Sequence, residues 1–348
     1  MATLLSSEKP LSSMHDYLLL DLDGVCYRGS QSVPYAAQGI ALARHAGMRT
    51  AFLTNNSTRT AQAVADKLTE HGIPAHPHEI YTSSRTAVRQ LCQHVPPGAK
   101  VLALGTEGLF AELAQTDLRV VTSADEHPEA VIHGLSADIS YRELSEAALA
   151  IQAGAQYIAT NLDATTPQDR GNMLGNGAMV AAVVCATGVQ PLSSGKPAPD
   201  MYVLAMEETG ARNPLCVGDR LDTDIAGANA AGFASLHVLT GVVSARDVLC
   251  APPEYRPSYL GIDLSDVNRP APEVICGTRR WCCGASVVEN DAAQILLNGV
   301  PFTVQCGHYQ ITLNDYRALS AAFWALYDRG EAVEMSQIPQ CEVVRDEQ

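Results

Sequence analysis

Positive charge is scarce in this sequence: 23 basic side chains stand against 38 acidic ones, a formal net charge of −15. The basic footprint that nucleic-acid backbones select is therefore absent, which argues against DNA or RNA as a partner. A long apolar run is missing too. The longest, residues 178–186, falls well short of the about 20 residues a bilayer helix needs, so it reads as one buried helix and no membrane span is expected. Residues 1–10 show no basic stretch ahead of an apolar core, so no secretory leader is expected and the cytoplasm is the expected compartment. The ten cysteines form no repeating framework, and reduced thiols are the natural reading. Lysine is rarer still, with only Lys9, Lys67, Lys100 and Lys196 beside 19 arginines. A lysine in this chain goes against its habit.

What is present is ample for a globular fold. The chain has 348 residues, 47% hydrophobic and 18% charged, enough for two or three domains. Residues 17–21 and 49–54 read as buried parallel strands, the first ending in an acidic turn and the second in Thr-Asn-Asn-Ser. Between them residues 34–46 carry helical spacing that stops at Gly47, which completes a βαβ unit. Ser57 is placed to cap a helix running to about His71, and a further strand and helix fit residues 80–93. After Pro96-Pro97-Gly98 a second alternation starts, with strands at 101–104, 120–122, 130–133 and 157–160, a helix at 141–153, a polar loop at 161–176 and the helix 178–186. The first alternation resumes near Pro199, with strands at 215–217 and 234–239 and a helix at 222–231. Doubly wound sheets of this kind gather ligands at the C-terminal ends of their strands. Residues 252–257 and 268–272 look like proline-rich linker leading into a third region, with strands at 294–297 and 302–305 and a helix at 315–327.

Four strand-end motifs carry the chemistry. Asp21-Leu22-Asp23-Gly24 places two carboxylates just past a strand, a pairing able to supply a nucleophile and an acid/base or to hold a cation. Thr54-Asn55-Asn56 ends the next strand ahead of a helix, where a hydroxyl, an amide and free N–H groups suit a phosphate. Gly195-Lys196-Pro197 offers a compact ammonium. Gly218-Asp219-Arg220-Leu221-Asp222-Thr223-Asp224 adds carboxylates one helical turn apart, ligands for a hard divalent ion.

Each motif alone is weak, but their order is specific. The series Asp21-Leu-Asp-Gly-Val, Thr54-Asn-Asn-Ser-Thr, Gly195-Lys-Pro-Ala-Pro-Asp and Gly218-Asp-Arg-Leu-Asp-Thr-Asp-Ile resembles the class IIA phosphatases of the haloacid dehalogenase (HAD) superfamily. Residues 159–163 and 175–177 look like that class's cap signatures. The resemblance implies a doubly wound, Rossmann-like α/β core at 14–95 and 191–264, an inserted α/β cap of the C2 type at 96–190, and a small α+β region at 265–348. It implies a Mg²⁺-dependent phosphatase in which Asp21 is the nucleophile and becomes an aspartyl phosphate, while Asp23 protonates the leaving alcohol and then activates water. Asp21, the Asp23 main-chain carbonyl and Asp219 would hold Mg²⁺, with Asp224 behind them, and Thr54, Asn55 and Lys196 would hold the phosphoryl oxygens. Substrate choice would fall to the cap loop, with Asn161, Asp163, Arg170 and Asn176 as candidates, Thr165 beside them, and Leu174 where the family often has proline.

The cap and the appended region also look similar to actinobacterial glycerol 3-phosphate phosphatases, whose tail resembles part of a GCN5-related acetyltransferase fold. Glycerol 3-phosphate is the substrate this implies; phosphoglycolate, a nucleotide monophosphate or pyridoxal phosphate are the alternatives, and a phosphometabolite sensor acting through the tail is a third reading. The tail has no [QR]-x-x-G-x-[GA] loop, so packing or regulation is expected of it, and its removal from about residue 265 is expected to spare the catalytic constellation. Cys276, Cys282, Cys283, Cys306, Cys341 and His308 lack zinc-site spacing. The partner expected is a small phosphate ester, with monomer and homo-oligomer both open.

Overall fold

The structure is a computed structural model that describes residues 4–168, 170–291, 294–302, 308–331, 333 and 335–346. Among the described residues no helix is long and apolar enough to cross a membrane. Two units divide the chain: Met1–Ala51, His71–Ile73 and Thr209–Gln348 form one, Phe52–Glu70 and Pro74–Glu208 the other.

In the first unit the strands Tyr259–Gly261, Ala234–Val238, Pro214–Gly218 and Tyr17–Asp21 lie side by side in that order, all parallel. Their residues are apolar almost throughout because helices and loops cover both faces of such a sheet, leaving no solvated side for alternation. The helix Ala36–His45 ends as its sequence predicts: Gly47, at φ +103°, closes onto the Arg44 carbonyl. Between the two proline-rich stretches expected as linker, 252–257 and 268–272, the chain is built into this sheet. Tyr259–Gly261 is its outer strand, and the turn Leu264–Asn268 packs on Ala36–His45, where a Cβ at Gly39 would lie 2.6 Å from the Leu264 carbonyl oxygen.

The tail then adds a five-stranded antiparallel sheet, running from Val274–Cys276 to Val300–Pro301, against which the helix Leu313–Asp328 packs. His308–Thr312 and Gln340–Val344 pair in parallel beside it. Of the strand expected at 302–305, residues 303–305 lie outside the described residues, as do Cys306 and the side chain of His308. Among the described residues, the apolar side chains of the tail pack into the core of the body. Trp281, Leu319, Phe323 and Trp324 share one apolar cluster with Leu221, Ile225, Leu249 and Leu260 of the parallel-sheet body. Arg256, fully buried, donates to both Asp328 carboxylate oxygens at 2.8 and 3.0 Å, and Trp324 Nε1 donates to the Val248 carbonyl at 2.8 Å. Removal of the tail from about residue 265, expected to spare the catalytic constellation, would therefore take away part of the core of the body.

In the second unit the parallel sheet runs Leu192–Ser193, Gln156–Ala159, Ala130–His133, Lys100–Leu104, Arg119–Val121. The residues 52–54 pair in parallel with Ile80–Thr82. Tyr141–Gln152 opens with a capping box in which Ser140 and Glu143 satisfy each other's main-chain N–H groups. Two local expectations change. Ser57 does not cap a helix, because its Oγ accepts from Leu135 N at 3.3 Å; the helix is Ala61–Glu70, and Thr60 Oγ1 accepts from Ala63 N at 3.2 Å. The polar loop 161–176 contains a hairpin, Thr165–Gln168 against Gly171–Leu174, whose turn uses Gly171 at φ +119°.

Candidate active site

The carboxylate cluster belongs wholly to the first unit. The register that sets Leu20 beside Val217 brings the ends of Tyr17–Asp21 and Pro214–Gly218 level, so Asp21 and Asp219 emerge at one sheet edge. The chain after Asp219 does not enter the expected α-helix directly. Leu221–Ile225 is a π-helical turn, with Ile225 N donating to the Arg220 carbonyl at 3.1 Å, and the α-helix follows only at Ala226–Ala230. The wider turn carries Asp224 back over the strand end, where its Oδ2 accepts from Arg220 N at 3.1 Å. One oxygen each from Asp21, Asp219 and Asp224 then lie within 4.8 Å of one another, with Asp219 and Asp224 buried. Three such oxygens repel in the absence of a counter-charge, and an all-oxygen, all-anionic donor set fits a hard divalent cation. Asp23 stands apart from this trio, exposed in the turn and bridged to Tyr27. Asp222 is turned to the surface, paired with Arg220 at 2.7 Å.

The residues that hold the cluster were not legible in advance. A Cβ at Gly24, where φ is +91°, would fall 2.7 Å from Asp219 Cγ, and one at Gly241 would fall 1.7 Å from Asp219 Oδ2. Val242 N donates to that same Oδ2 at 3.0 Å. Thr240 Oγ1 donates to the Gly24 carbonyl at 2.6 Å, and Arg28 donates to the carbonyls of Thr240 and Gly241. His237 Nε2 donates to the Asp219 carbonyl at 3.0 Å; burial pushes this imidazole down to about 4, so it is neutral near pH 7 with its proton on Nε2. A single histidine within an apolar strand and a glycine in a loop carry no signal of these roles. Cys26 Sγ donates to the Asp21 carbonyl at 3.4 Å, and burial, reinforced by Asp21 and Asp23, raises this thiol so that it stays protonated.

The second unit gathers the predicted anion-binding residues at the end of the segment 52–54. Lys196 is buried, and its Nζ donates to the Leu53 carbonyl at 3.2 Å. Thr54 is buried as well, its Oγ1 accepting from Asn56 N at 3.1 Å. Asn55 is placed differently from the expectation of a phosphate ligand: its Oδ1 accepts from Lys196 N at 2.8 Å, and its Nδ2 donates to the Lys196 carbonyl at 3.0 Å and to Asp163 at 3.2 and 3.3 Å. Its side chain is engaged within the unit and fixes the lysine. Asn161 likewise donates to the Asn55 carbonyl at 2.8 Å and accepts from Asp163 N at 3.2 Å. Gly195 permits this packing, since a Cβ there would meet Asn161 Cβ at 2.7 Å. Asn176, expected as a substrate ligand, is a further correction: it opens the helix Asn176–Thr187 fully buried, its Nδ2 donating to the carbonyls of Asn161 and His133 at 2.8 and 3.0 Å, so its amide positions Asn161 within the unit. Arg170 stands exposed in the hairpin turn, and Thr165 is exposed on its first strand.

Residues 18–119 match the family described as haloacid dehalogenase-like hydrolase, and residues 193–267 match one described as HAD-hydrolase-like. The D-glycerol 3-phosphate phosphatase of Mycobacterium tuberculosis is 46% identical over 75% of this chain and 73% of its own length. This chain belongs to the haloacid dehalogenase-like hydrolases. Among other members, the acid sugar phosphatase of Staphylococcus aureus is 38% identical over 72% of this chain and 97% of its own. The crystal structure of the M. tuberculosis glycerol phosphate phosphatase with calcium superimposes with a TM-score of 0.80 at 37% identity, covering 96% of this chain and 95% of that one. Its magnesium complex gives 0.77 at 39% identity, covering 92% of each. The HAD motifs quoted from the sequence are the segments that form the two clusters described above.

Proposed function

We propose that this chain is a cytoplasmic, Mg²⁺-dependent glycerol 3-phosphate phosphatase that works through an aspartyl phosphate on Asp21. It is a phosphoric monoester hydrolase of the HAD family, acting on a small phosphate ester. The observation that carries the mechanism is the trio Asp21, Asp219 and Asp224, one carboxylate at the end of Tyr17–Asp21, one just past the neighbouring strand Pro214–Gly218 and one in the π-helical turn that follows. Substrate assignment is supported by coverage. The similarity to the glycerol phosphate phosphatase extends through the tail, whereas the acid sugar phosphatase matches only 72% of this chain while being nearly all covered itself.

Asp21, Asp219 and Asp224, with the Asp23 carbonyl, would hold Mg²⁺, which supplies charge neutralisation at the phosphoryl group. Asp21 attacks phosphorus as the ester P–O bond breaks, and Asp23 gives its proton to the departing alcohol oxygen. Asp23 then takes a proton from water, whose oxygen attacks phosphorus and releases phosphate from Asp21. Lys196 and Thr54 bind the non-bridging oxygens, with Asn55 and Asn161 fixing the loop that bears the lysine. The division into core (14–95, 191–264), cap (96–190) and C-terminal region (265–348) belongs to this reading, with Asp163 and Arg170 as cap-side candidates for contact with the alcohol.

The test is phosphate release across glycerol 3-phosphate, phosphoglycolate, nucleotide monophosphates, sugar phosphates and pyridoxal phosphate, read as kcat/KM with Mg²⁺ and with EDTA. Glycerol 3-phosphate should rank first and EDTA should abolish turnover; another ester ranking first removes the substrate assignment, and unchanged activity in EDTA removes the metal. Gly241→Ala provides a structural check on the cation site. Its Cβ collides with a buried carboxylate, so Mg²⁺ affinity should fall about 10- to 100-fold by calorimetry, as when a partner that orients a ligand is lost.

A further inference from the structure

The roles of the tail and of the carboxylate trio are linked by the way the apolar cluster of the first unit is assembled. Two chain segments control the trio: Leu221–Ile225, which swings Asp224 over the strand end, and the loop 240–242, which clamps Asp219 through Val242 N and the bare face of Gly241. Both are bracketed by apolar anchors. Leu221 and Ile225 are buried at the two ends of the π-helical turn, and Leu239 and Val243 flank the loop on either side. Leu221 and Ile225 belong to the buried cluster completed by Trp281, Ile311, Leu319, Phe323 and Trp324 of the tail, and the partly buried Leu239 and Val243 pack against it. The helix Ala245–Leu249, which starts just after the loop, is itself tied to the tail by the Trp324 Nε1 bond to the Val248 carbonyl and by Arg246 Nη1 on the Ile338 carbonyl at 3.4 Å.

We infer that the C-terminal region is a positioning element for the cation site, setting through Leu221, Ile225, Leu239 and Val243 how closely Asp219 and Asp224 converge. This rests on the reading that the trio holds Mg²⁺. Packed interiors transmit small displacements because their side chains interdigitate at close-packed density, so a cavity opened under these anchors is relayed to the segments they hold. Thermodynamic linkage makes the effect reciprocal: if the tail's packing favours Mg²⁺ binding, Mg²⁺ binding must favour the tail's packing.

The experiment titrates Mg²⁺ alone into the full chain by calorimetry and follows hydrogen exchange in Leu313–Asp328 with and without Mg²⁺. Leu319→Ala, far along the chain from any carboxylate of the trio, should weaken Mg²⁺ binding about tenfold. Trp324→Phe, which keeps an aromatic ring and loses the bond to Val248, should weaken it in the same direction by a smaller factor, and serves if Leu319→Ala does not fold. Leu113→Ala, in the apolar cluster of the other unit, should leave Mg²⁺ affinity unchanged. Exchange in Leu313–Asp328 should slow on adding Mg²⁺ to the parent chain. A folded tail variant with parental Mg²⁺ affinity, an equal loss in Leu113→Ala, or exchange indifferent to Mg²⁺ would each overturn the inference. Asp219→Asn separates it from its premise: if that variant binds Mg²⁺ as tightly as the parent, the reading of the trio fails first.

Discussion

Asp21→Asn should abolish phosphate release, lowering kcat by at least about 10⁴-fold, while the melting temperature stays at or above that of the parent chain. The amide has the size and planarity of the carboxylate but no lone pair of comparable nucleophilicity, so no acyl phosphate forms. Stability should not suffer, because Asp21 contributes charge to a cluster of three carboxylates whose oxygens lie within 4.8 Å, and removing one negative charge relieves repulsion in the cation-free protein. The strand that carries it is fixed by Tyr17 to Leu20, paired with Pro214 to Val217, and none of these contacts changes. Phosphate release with glycerol 3-phosphate and a thermal melt check the two halves of this result. Near-parental turnover in a folded Asp21→Asn protein would end the covalent mechanism.

The second large effect concerns the tail. Ending the chain at residue 264 should give a protein that aggregates or unfolds, not an independent phosphatase. Leu221, Leu249 and Leu260 would lose the cover of Trp281, Leu319, Phe323 and Trp324, exposing a contiguous apolar surface. Arg256 would lose Asp328 together with the Trp324 and Tyr327 rings that cover its guanidinium, so a side chain now fully buried would be stripped of its ion pair and of that cover. Asp263 would also lose Arg345, which donates to its Oδ2 at 2.7 Å. Soluble yield and scanning calorimetry of the truncated chain decide the matter; a soluble, cooperatively melting product with intact Mg²⁺ binding would show that the body closes without its tail.

These two results mark where sequence reasoning carries and where it stops. Asp21, Asp23 and Asp219 were legible because each lies at or just past the end of an apolar run. A buried parallel strand forces its functional residues to the exposed C-terminal edge, and the sequence displays that edge as a charged or polar break. Lys196 stood out through rarity alone. Helix and strand positions followed the same local rules, as at Gly47 and at the Ser140 capping box.

What failed was whatever depends on a partner distant in the chain. Ser57 has the chemistry of a cap, but Leu135 N claims its hydroxyl. Asn55 and Asn176 have the chemistry of substrate ligands, yet their amides are used to bind Lys196, Asp163, Asn161 and His133. Residues 252–257 and 268–272 have the composition of a linker, but the chain between them pairs at a sheet edge as the strand Tyr259–Gly261. The π-helical turn at Leu221–Ile225 and the clamp of Gly241 and His237 on Asp219 leave no periodic trace, since each is a single residue or a single turn selected by what it touches. By itself the sequence determined the α/β architecture, the family and the residues that carry charge to the strand ends, because alternation, strand termination and local capping are short-range. Only the tertiary structure decided which of those polar groups are held inward as supports, and that the tail shares the core of the body, because burial and hydrogen-bond satisfaction are settled between residues that approach one another only in the folded chain.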